Sequence, residues 1–134
     1  MAPTDKQRRI LVIDDTPEIL DLFRDLLSDE GYQITTDTFP LNTTAKLEEI
    51  KANPVDLIIL DLVIGGEPLG MQFLQMLKMD RATRPIPVVI CTAAHLQAAE
   101  MEPHLREMGV GVVLKPFDID LLLAEIAKTW GPPA

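Results

Sequence analysis

Apolar residues fall into short runs that alternate with longer segments in which they recur at helical spacing. The runs are rich in β-branched residues and apolar on both faces, which is typical of strands covered on both sides in a parallel sheet. Four runs have this character: Ile10–Ile13, Leu57–Leu60, Val88–Cys91 and Val112–Leu114. A weaker run over Gln33–Thr38, with its threonines and polar alternation, predicts an edge strand.

The intervening segments predict helices whose ends are marked by capping residues and helix breakers. Thr16 can cap a first helix that Gly31 ends. A second helix is predicted over Thr43–Ala52, a third over Gly70–Asp80, and a last helix beginning at Asp118. The predicted apolar stripe of the first helix consists of Ile19, Leu22, Phe23, Leu26 and Leu27.

The segment between Thr92 and Gly109 is rich in helix formers but contains Pro103. A proline inside a helix removes a backbone donor and clashes with the preceding turn, so it breaks or kinks the helix. We therefore expect a first helical piece that ends near Met101 and a second that starts at Pro103.

The predicted elements form a (βα)₅ chain, in which each of five strands is followed by a helix. Right-handed crossovers fold such a chain into a doubly wound α/β sandwich around a five-stranded parallel sheet. The common strand order is 2-1-3-4-5, with the ligand crevice at the carboxyl ends of strands 1 and 3. We expect one domain over residues 9–130, an N-terminal extension over residues 1–8 and a C-terminal tail over residues 131–134.

Polar side chains stand at the carboxyl ends of the predicted strands. They are Asp14 and Asp15 after strand 1, Asp61 after strand 3, Thr92 on strand 4 and Lys115 after strand 5. In the expected order, three carboxylates therefore share a cleft with a hydroxyl and an ammonium. Carboxylate oxygens suit Mg²⁺, and a lysine with a hydroxyl suits phosphoryl oxygens. Asp61, alone on the central strand, is the best candidate for a nucleophile that carries a phosphoryl group.

The composition argues against several classes of function. The 134 residues include 21 acids and 12 bases, a net charge of −9, which disfavours direct nucleic-acid binding. Cys91 is the single cysteine, so an intramolecular disulfide is excluded. Without a signal-peptide pattern or an apolar run of membrane-spanning length, we expect a cytoplasmic protein with no membrane insertion. His95 and His104 lack companions at metal-ligand spacing and are expected at the surface.

Four motifs carry a resemblance to a known family: "ILVIDD", "LIILDL", "VVICTA" and "VVLKPF". Each motif alone is weakly specific, but the four in this order and spacing are a strong signal. Over essentially its whole length the chain resembles the receiver domains of response regulators in two-component signalling, which have a flavodoxin-like fold. The resemblance implies a phosphorylation-switched signalling module that is no enzyme beyond its own phosphotransfer and dephosphorylation.

The resemblance also implies roles for the acids at the strand ends. Asp61 is expected to accept a phosphoryl group from a histidine kinase or a histidine phosphotransfer protein. Asp14, Asp15 and Asp61 are expected to bind Mg²⁺. In the family the metal also takes a backbone carbonyl two residues after the acceptor, which here belongs to Val63.

On the other side of the acceptor, the resemblance implies that Thr92 and Lys115 hold phosphoryl oxygens and that the Lys115–Pro116 bond is cis. Most members have a Tyr or Phe three residues before the lysine, which swings inward when the threonine moves. Here that position is Val112, so the second half of this switch is missing. The signal must then leave by another route, for which we hypothesise the segment around Pro103.

Two further departures from the family concern the surroundings of Asp61. Most members have a proline four residues after the acceptor and a glycine eight after it, whereas Gly65 replaces the proline here and Gly70 comes one residue late. Gly65 and the glycine after it are expected to loosen this loop. Val63 and Ala94 stand where side chains tune autodephosphorylation in the family. Neither can position a water, which predicts a long-lived phosphoryl group.

Two alternative functions remain open at this point. One is a receiver that works by binding alone, although all five site residues are present. The other is a Mg²⁺-dependent aspartyl phosphatase or phosphotransferase of dehalogenase type, whose general acid usually lies where this chain has Val63. In the leading interpretation, the output is contact with an unknown downstream protein. Receivers often pair through their fourth and fifth helices, and the apolar last helix permits such a homodimer.

Overall fold

Five parallel strands form one sheet in the computed structural model, which describes residues 8–39 and 42–130. The strands are β1 (Arg9–Ile13), β2 (Gln33–Asp37), β3 (Leu57–Leu60), β4 (Val88–Thr92) and β5 (Gly111–Leu114). The helices that follow them are α1 (Pro17–Asp29), α2 (Thr43–Ala52), α3 (Leu69–Met79), α4 (His95–Glu107) and α5 (Ile119–Trp130). The strand order is β2-β1-β3-β4-β5, which confirms the predicted doubly wound (βα)₅ fold and places β2 at an edge.

Successive residues of each strand point to opposite sides of the sheet. Because these residues are apolar on both sides, helices cover both faces. On one face, Ile58 and Leu60 belong to a buried cluster that includes residues of α2, α3 and α4. On the other face, Val12 and Ile59 belong to a cluster with residues of α1 and α5. Both faces are apolar, so the strand ends are the places where polar side chains can gather. None of the helices within residues 8–39 and 42–130 is long and apolar enough to cross a membrane.

The buried face of α1 contains Leu20, which the predicted stripe omitted, and excludes Leu22, which the stripe included. Leu20, Phe23 and Leu27 are the buried residues of this helix, whereas Leu22 is 43% exposed. Residues three and seven positions after Leu20 lie on one line along a helix, and Leu22 lies to the side of that line. The predicted stripe of α1 was therefore wrong at Leu22 and omitted Leu20.

Helix α4 corrects the predicted break at Pro103, because it runs without interruption from His95 to Glu107. The proline lacks the N–H that would bond to the carbonyl of Ala99, but Ala99 is exposed, so water can reach that carbonyl. Ala98 and Leu105, two turns apart on one face, are 3% and 0% exposed within the core cluster. Their tertiary packing outweighs the local cost of the proline. The predicted break at Pro103 is therefore wrong, while signal output through this segment stays a hypothesis.

The first and last of the described residues meet at the amino ends of the strands. The Trp130 indole N–H donates to the Asp56 carbonyl at 2.8 Å, and the Trp130 and Tyr32 ring centroids are 5.6 Å apart. The Arg8 guanidinium carbon lies 4.2 Å from the Trp130 ring centroid. The Asp56 carboxylate accepts the Arg9 N–H at 2.7 Å. We call these five residues the terminal cluster; residues 1–7 and the predicted tail over residues 131–134 lie outside the described residues.

Candidate functional site

Asp14 and Asp61 stand side by side at the carboxyl ends of two neighbouring strands. The Asp61 N–H donates to the Ile13 carbonyl at 3.2 Å, and the Asp14 N–H donates to the Asp37 carbonyl at 3.1 Å. The two backbones thus continue the sheet pairing just past β1 and β3. Asp14 is 2% exposed and Asp61 is 6% exposed. The sheet therefore holds both carboxylates in a desolvated cleft, where each needs a partner.

Asp15 completes a group of three acids. Carboxylate oxygens of Asp14, Asp15 and Asp61 lie within 4.8 Å of one another. Asp15 itself is exposed, and its Oδ2 accepts a hydrogen bond from the Gly65 N–H at 2.9 Å. Three convergent carboxylates are the oxygen donors that Mg²⁺ takes in proteins, usually with water in the other positions. The three acids predicted as metal ligands are thus brought together.

Lys115 reaches the same group from the end of β5. Its Nζ lies 2.5 Å from Asp14 Oδ2 and 3.1 Å from Asp61 Oδ2. Its backbone N–H donates to the Thr92 carbonyl at 2.8 Å, and the bond that it forms with Pro116 is cis, as expected. One ammonium therefore bridges the two buried carboxylates.

The electrostatics of the site leave it short of positive charge. Burial raises the pKa of Asp14, although the hydrogen bond from Lys115 opposes this rise. Burial lowers the pKa of Lys115, but the hydrogen bonds and charges of Asp14 and Asp61 outweigh burial, so this pKa is raised as well. Desolvation thus favours the neutral form of Asp14, whereas the two neighbouring carboxylates favour the charged form of Lys115. Three carboxylates against one ammonium therefore suit a divalent cation.

Thr92 ends β4, the strand between those that lead to Asp61 and Lys115. Thr92 is 1% exposed, and its Oγ1 accepts the Ala94 N–H at 3.1 Å. A hydroxyl that accepts one hydrogen bond still has its own proton to donate. The Val63 N–H donates to Asp61 Oδ1 at 3.3 Å, while the metal-binding role of the Val63 carbonyl stays a prediction.

Gly70, noted in the sequence only for its late position, packs against the backbone of Asp61. A Cβ atom at Gly70 would lie 1.7 Å from the Asp61 carbonyl oxygen and 2.9 Å from the Leu62 carbonyl oxygen. Any larger side chain would push the start of α3 away from Asp61. The sequence shows a glycine at the start of an apolar helix, which indicates close packing there. It does not predict that the packing partner is the Asp61 backbone.

The loop after Asp61 is closed by a tight turn, while the expected looseness of this loop stays a prediction. Ile64 and Glu67 exchange backbone hydrogen bonds of 2.9 and 3.1 Å. Gly65 and Gly66, between them, have φ values of +59° and +78°, as a two-residue type I′ hairpin requires. The glycines thus permit a defined turn, and this turn presents the Gly65 N–H to Asp15.

Sequence reasoning also missed His95, which it assigned only to the surface. His95 is exposed, as expected, but its Nε2 lies 2.7 Å from the Lys115 carbonyl oxygen. A lone histidine at the start of a helix gives no signal of a partner twenty positions away. The structure therefore adds one contact between α4 and the site.

A family model described as "Response regulator receiver domain" matches residues 10–127. The chain therefore belongs to the response regulator receiver domains of two-component systems, which are signalling switches.

Curated relatives include longer regulators. The chain is 32% identical over 123 residues to the phosphate regulon transcriptional regulatory protein PhoB of Klebsiella pneumoniae, across 89% of this chain and 50% of that protein. It is 31% identical over 128 residues to the alginate biosynthesis transcriptional regulatory protein AlgB of Pseudomonas syringae, across 95% of this chain and 27% of that protein. The chain thus spans at most about half the length of these two relatives.

Solved structures share the fold. The chemotaxis protein CheY4 of Vibrio cholerae superposes with a TM-score of 0.75 at 22% identity, covering 92% of this chain and 98% of that one. A sensor protein from Polaromonas superposes with a TM-score of 0.76 at 24% identity, covering 92% of this chain and 95% of that one. At these identities the likeness establishes the receiver fold alone.

Proposed function

We propose that this chain is a phosphorylation-switched receiver in which Asp61 accepts a phosphoryl group from a phosphohistidine donor, either a histidine kinase or a histidine phosphotransfer protein. The observation that carries the proposal is the setting of Asp61. Its buried carboxylate shares a 4.8 Å group with Asp14 and Asp15 and lies 3.1 Å from the Lys115 ammonium. Phosphoryl transfer depends mainly on positioning and charge neutralisation, which these residues are placed to supply.

In the proposed transfer, an Asp61 carboxylate oxygen forms a bond to phosphorus as the bond from phosphorus to the donor's imidazole nitrogen breaks. The electron pair of the broken bond stays on that nitrogen, and Asp61 becomes an acyl phosphate. Lys115 already divides its hydrogen bonds between Asp14 and Asp61, so it is in position to donate to a phosphoryl oxygen. Thr92, at the end of β4, is the proposed donor to a second oxygen.

The metal ligands in this proposal are the carboxylates of Asp14, Asp15 and Asp61 and the backbone carbonyl of Val63. The donor set supports this choice, because oxygens of the three carboxylates lie within 4.8 Å of one another, while one ammonium, that of Lys115, bonds to two of them. When bound, Mg²⁺ would neutralise charge on the carboxylates and on the transferring phosphoryl oxygens.

The proposed output is contact with a downstream protein in the cytoplasm, without direct binding of nucleic acid by this chain. The net charge of −9 supports this choice, because an acidic surface repels a phosphate backbone. The transcriptional roles in the names of the relatives belong to proteins of which this chain covers 50% or less.

Intact-mass spectrometry after incubation with Mg²⁺ and acetyl phosphate tests the proposal. We expect one phosphoryl adduct on the wild type, and none with a chelator or in Asp61→Asn. Asp56→Asn is the matched control, because Asp56 precedes the same strand at its opposite end and its carboxylate binds the Arg9 N–H. This variant should keep the adduct.

Two outcomes would contradict the proposal. Folded wild type without an adduct would favour a receiver that works by binding alone. Release of inorganic phosphate over many turnovers, without an accumulating adduct, would favour the aspartyl phosphatase.

The adduct on Asp61 should be long-lived. Val63 and Ala94 carry apolar side chains where a polar group could hold an attacking water, so hydrolysis lacks a general base or an orienting donor. We expect Val63→Asn and Ala94→Glu each to shorten the adduct lifetime, because a polar side chain at either position can hold the attacking water. The time course of adduct loss in Mg²⁺ buffer measures this effect, and loss from the wild type within seconds would refute it.

A further inference from the structure

The first residue of α4 is hydrogen-bonded to the backbone of a site residue. His95 Nε2 lies 2.7 Å from the Lys115 carbonyl oxygen, and a carbonyl can only accept, so the imidazole donates. Lys115 is the residue whose ammonium lies 3.1 Å from Asp61. One side chain thus joins helix α4 to the lysine of the site.

This contact completes a ring of hydrogen bonds that links Thr92, Ala94, His95 and Lys115. The Lys115 N–H donates to the Thr92 carbonyl at 2.8 Å, and Thr92 Oγ1 accepts the Ala94 N–H at 3.1 Å. Ala94 is followed directly by His95, which returns to Lys115. Both residues proposed to hold phosphoryl oxygens therefore share a closed loop of contacts with the start of α4.

The side chain at position 112 cannot make such a connection by hydrogen bonding. Val112 lines the same groove as His95, between α4, β5 and α5, and carries no side-chain donor or acceptor. Its backbone N–H is held by Glu125 Oε1 at 3.1 Å, on the side of α5. Within α4 the side chains of Arg106 and Glu102 bond to each other, whereas the side chain of His95 reaches the site.

We infer that the hydrogen bond from His95 to Lys115 couples the phosphoryl site to helix α4, in place of an aromatic residue at position 112. The inference rests on the proposed function, because the coupling acts only if Asp61 is phosphorylated. When Thr92 or Lys115 shifts toward a phosphoryl group, the residues that are hydrogen-bonded to it move as well. The hydrogen bond of His95 then changes, and the first turn of α4 moves with it. His95 is thus a positioning residue, and both its neutral Nε2–H form and its imidazolium can donate.

Amide spectra of ¹⁵N-labelled protein, recorded with Mg²⁺ before and after addition of acetyl phosphate, test the inference alongside intact-mass spectrometry. In the wild type, phosphorylation should shift the α4 amides and the His95 Nε2–H resonance. In His95→Ala the adduct on Asp61 should still form, while the shifts of the α4 amides fall to about half or less. His95→Gln, whose amide can donate to the same carbonyl, should restore them. His104→Ala, which removes an exposed histidine of the same helix, should behave like the wild type.

The outcomes separate the inference from the proposed function. Equal α4 shifts in wild type and His95→Ala, both carrying the adduct, would overturn the inference and leave the proposed function standing. An Nε2–H resonance that does not respond to phosphorylation in the wild type would overturn it without any variant. Absence of an adduct on the wild type would overturn the proposed function, and the inference with it. A merely structural role for His95 would lower the melting temperature of His95→Ala and leave the α4 response intact.

Discussion

The two ends of strand β3 carry the same type of residue in opposite settings. Asp56, before the strand, is exposed; its carboxylate accepts the Arg9 N–H at 2.7 Å, and its carbonyl accepts the Trp130 indole N–H at 2.8 Å. Asp61, after the strand, is 6% exposed and shares one lysine with another buried acid.

This difference shows what makes an aspartate available for chemistry. At the amino end, the Arg9 N–H and the Trp130 indole N–H donate to Asp56, and water reaches its side chain, so this residue is structural. At the carboxyl end, burial and neighbouring acids leave more negative charge than Lys115 can neutralise. Uncompensated buried charge costs stability, and such a cost is typical of a site that binds a cation.

The largest effect should follow removal of the ammonium at the carboxyl end. Lys115→Met leaves the side chains of Asp14 and Asp61, which are 2% and 8% exposed, as adjacent carboxylates. Without Mg²⁺, we expect the free energy of unfolding to fall by about 3 to 5 kcal/mol, as measured by urea denaturation. Mg²⁺ should stabilise this variant more than the wild type, because the cation replaces the missing charge.

Lys51→Met is the control for that experiment. Lys51 also bridges two acids, Glu48 and Asp80, at 3.1 Å each, but its surroundings face water. A small change there beside a large one at Lys115 supports the comparison. Equal losses would mean that the two ends of the sheet do not differ in electrostatic cost.

The next effect should come from the contact between α3 and Asp61. In Gly70→Ala the new Cβ would lie 1.7 Å from the Asp61 carbonyl oxygen, so backbone must shift. We expect a loss of about 1 to 3 kcal/mol of unfolding free energy, with slower adduct formation. Gly31→Ala, at φ +92° with open space around it, should lose about 1 kcal/mol and leave the adduct unaffected. A normal rate of adduct formation in a folded Gly70→Ala would remove Gly70 from the site.

A smaller effect is expected from pH. Burial raises the pKa of Asp14 above 3.8, so the folded state holds this proton more tightly than the unfolded chain. Without Mg²⁺, this group's contribution to stability therefore falls as the pH rises from 3.8 through the raised pKa. Because Mg²⁺ competes with the proton, its stabilising effect should grow over the same interval.

Urea denaturation with and without Mg²⁺, at about pH 4 and at neutral pH, should show that Mg²⁺ raises the free energy of unfolding more at neutral pH. Asp56→Asn should show the same Mg²⁺ effect as the wild type. A Mg²⁺ effect that is constant with pH would argue that Asp14 does not take part in binding.

The smallest effect is expected in the terminal cluster. Trp130→Phe removes the indole N–H that donates to the Asp56 carbonyl at 2.8 Å, but keeps an aromatic ring beside Tyr32. We expect a loss of about 1 kcal/mol of unfolding free energy by denaturation, with adduct formation on Asp61 unchanged. A changed rate of adduct formation would show that the two ends of the sheet are coupled.

Local patterns predicted most elements of the fold. The bounds of β3 and α2 agree with the predicted Leu57–Leu60 and Thr43–Ala52, because strand and helix periodicity and helix breakers act within a few residues. Pro103 shows the limit of such patterns. A proline disfavours a continuous helix locally, but the burial of Ala98 and Leu105 against the sheet outweighs this preference in α4.

The sequence by itself determined which residues arrive at the carboxyl ends of the strands, since chain order and the handedness of crossovers leave few topologies. Only the tertiary structure decided which of them touch. Lys115 pairs with Asp14 across 101 positions, and Gly70 abuts the Asp61 carbonyl. His95 likewise reaches Lys115 from the start of a helix. Hydrogen bonds depend on placement to within a few tenths of an ångström, and such placement results from the packing of the whole core.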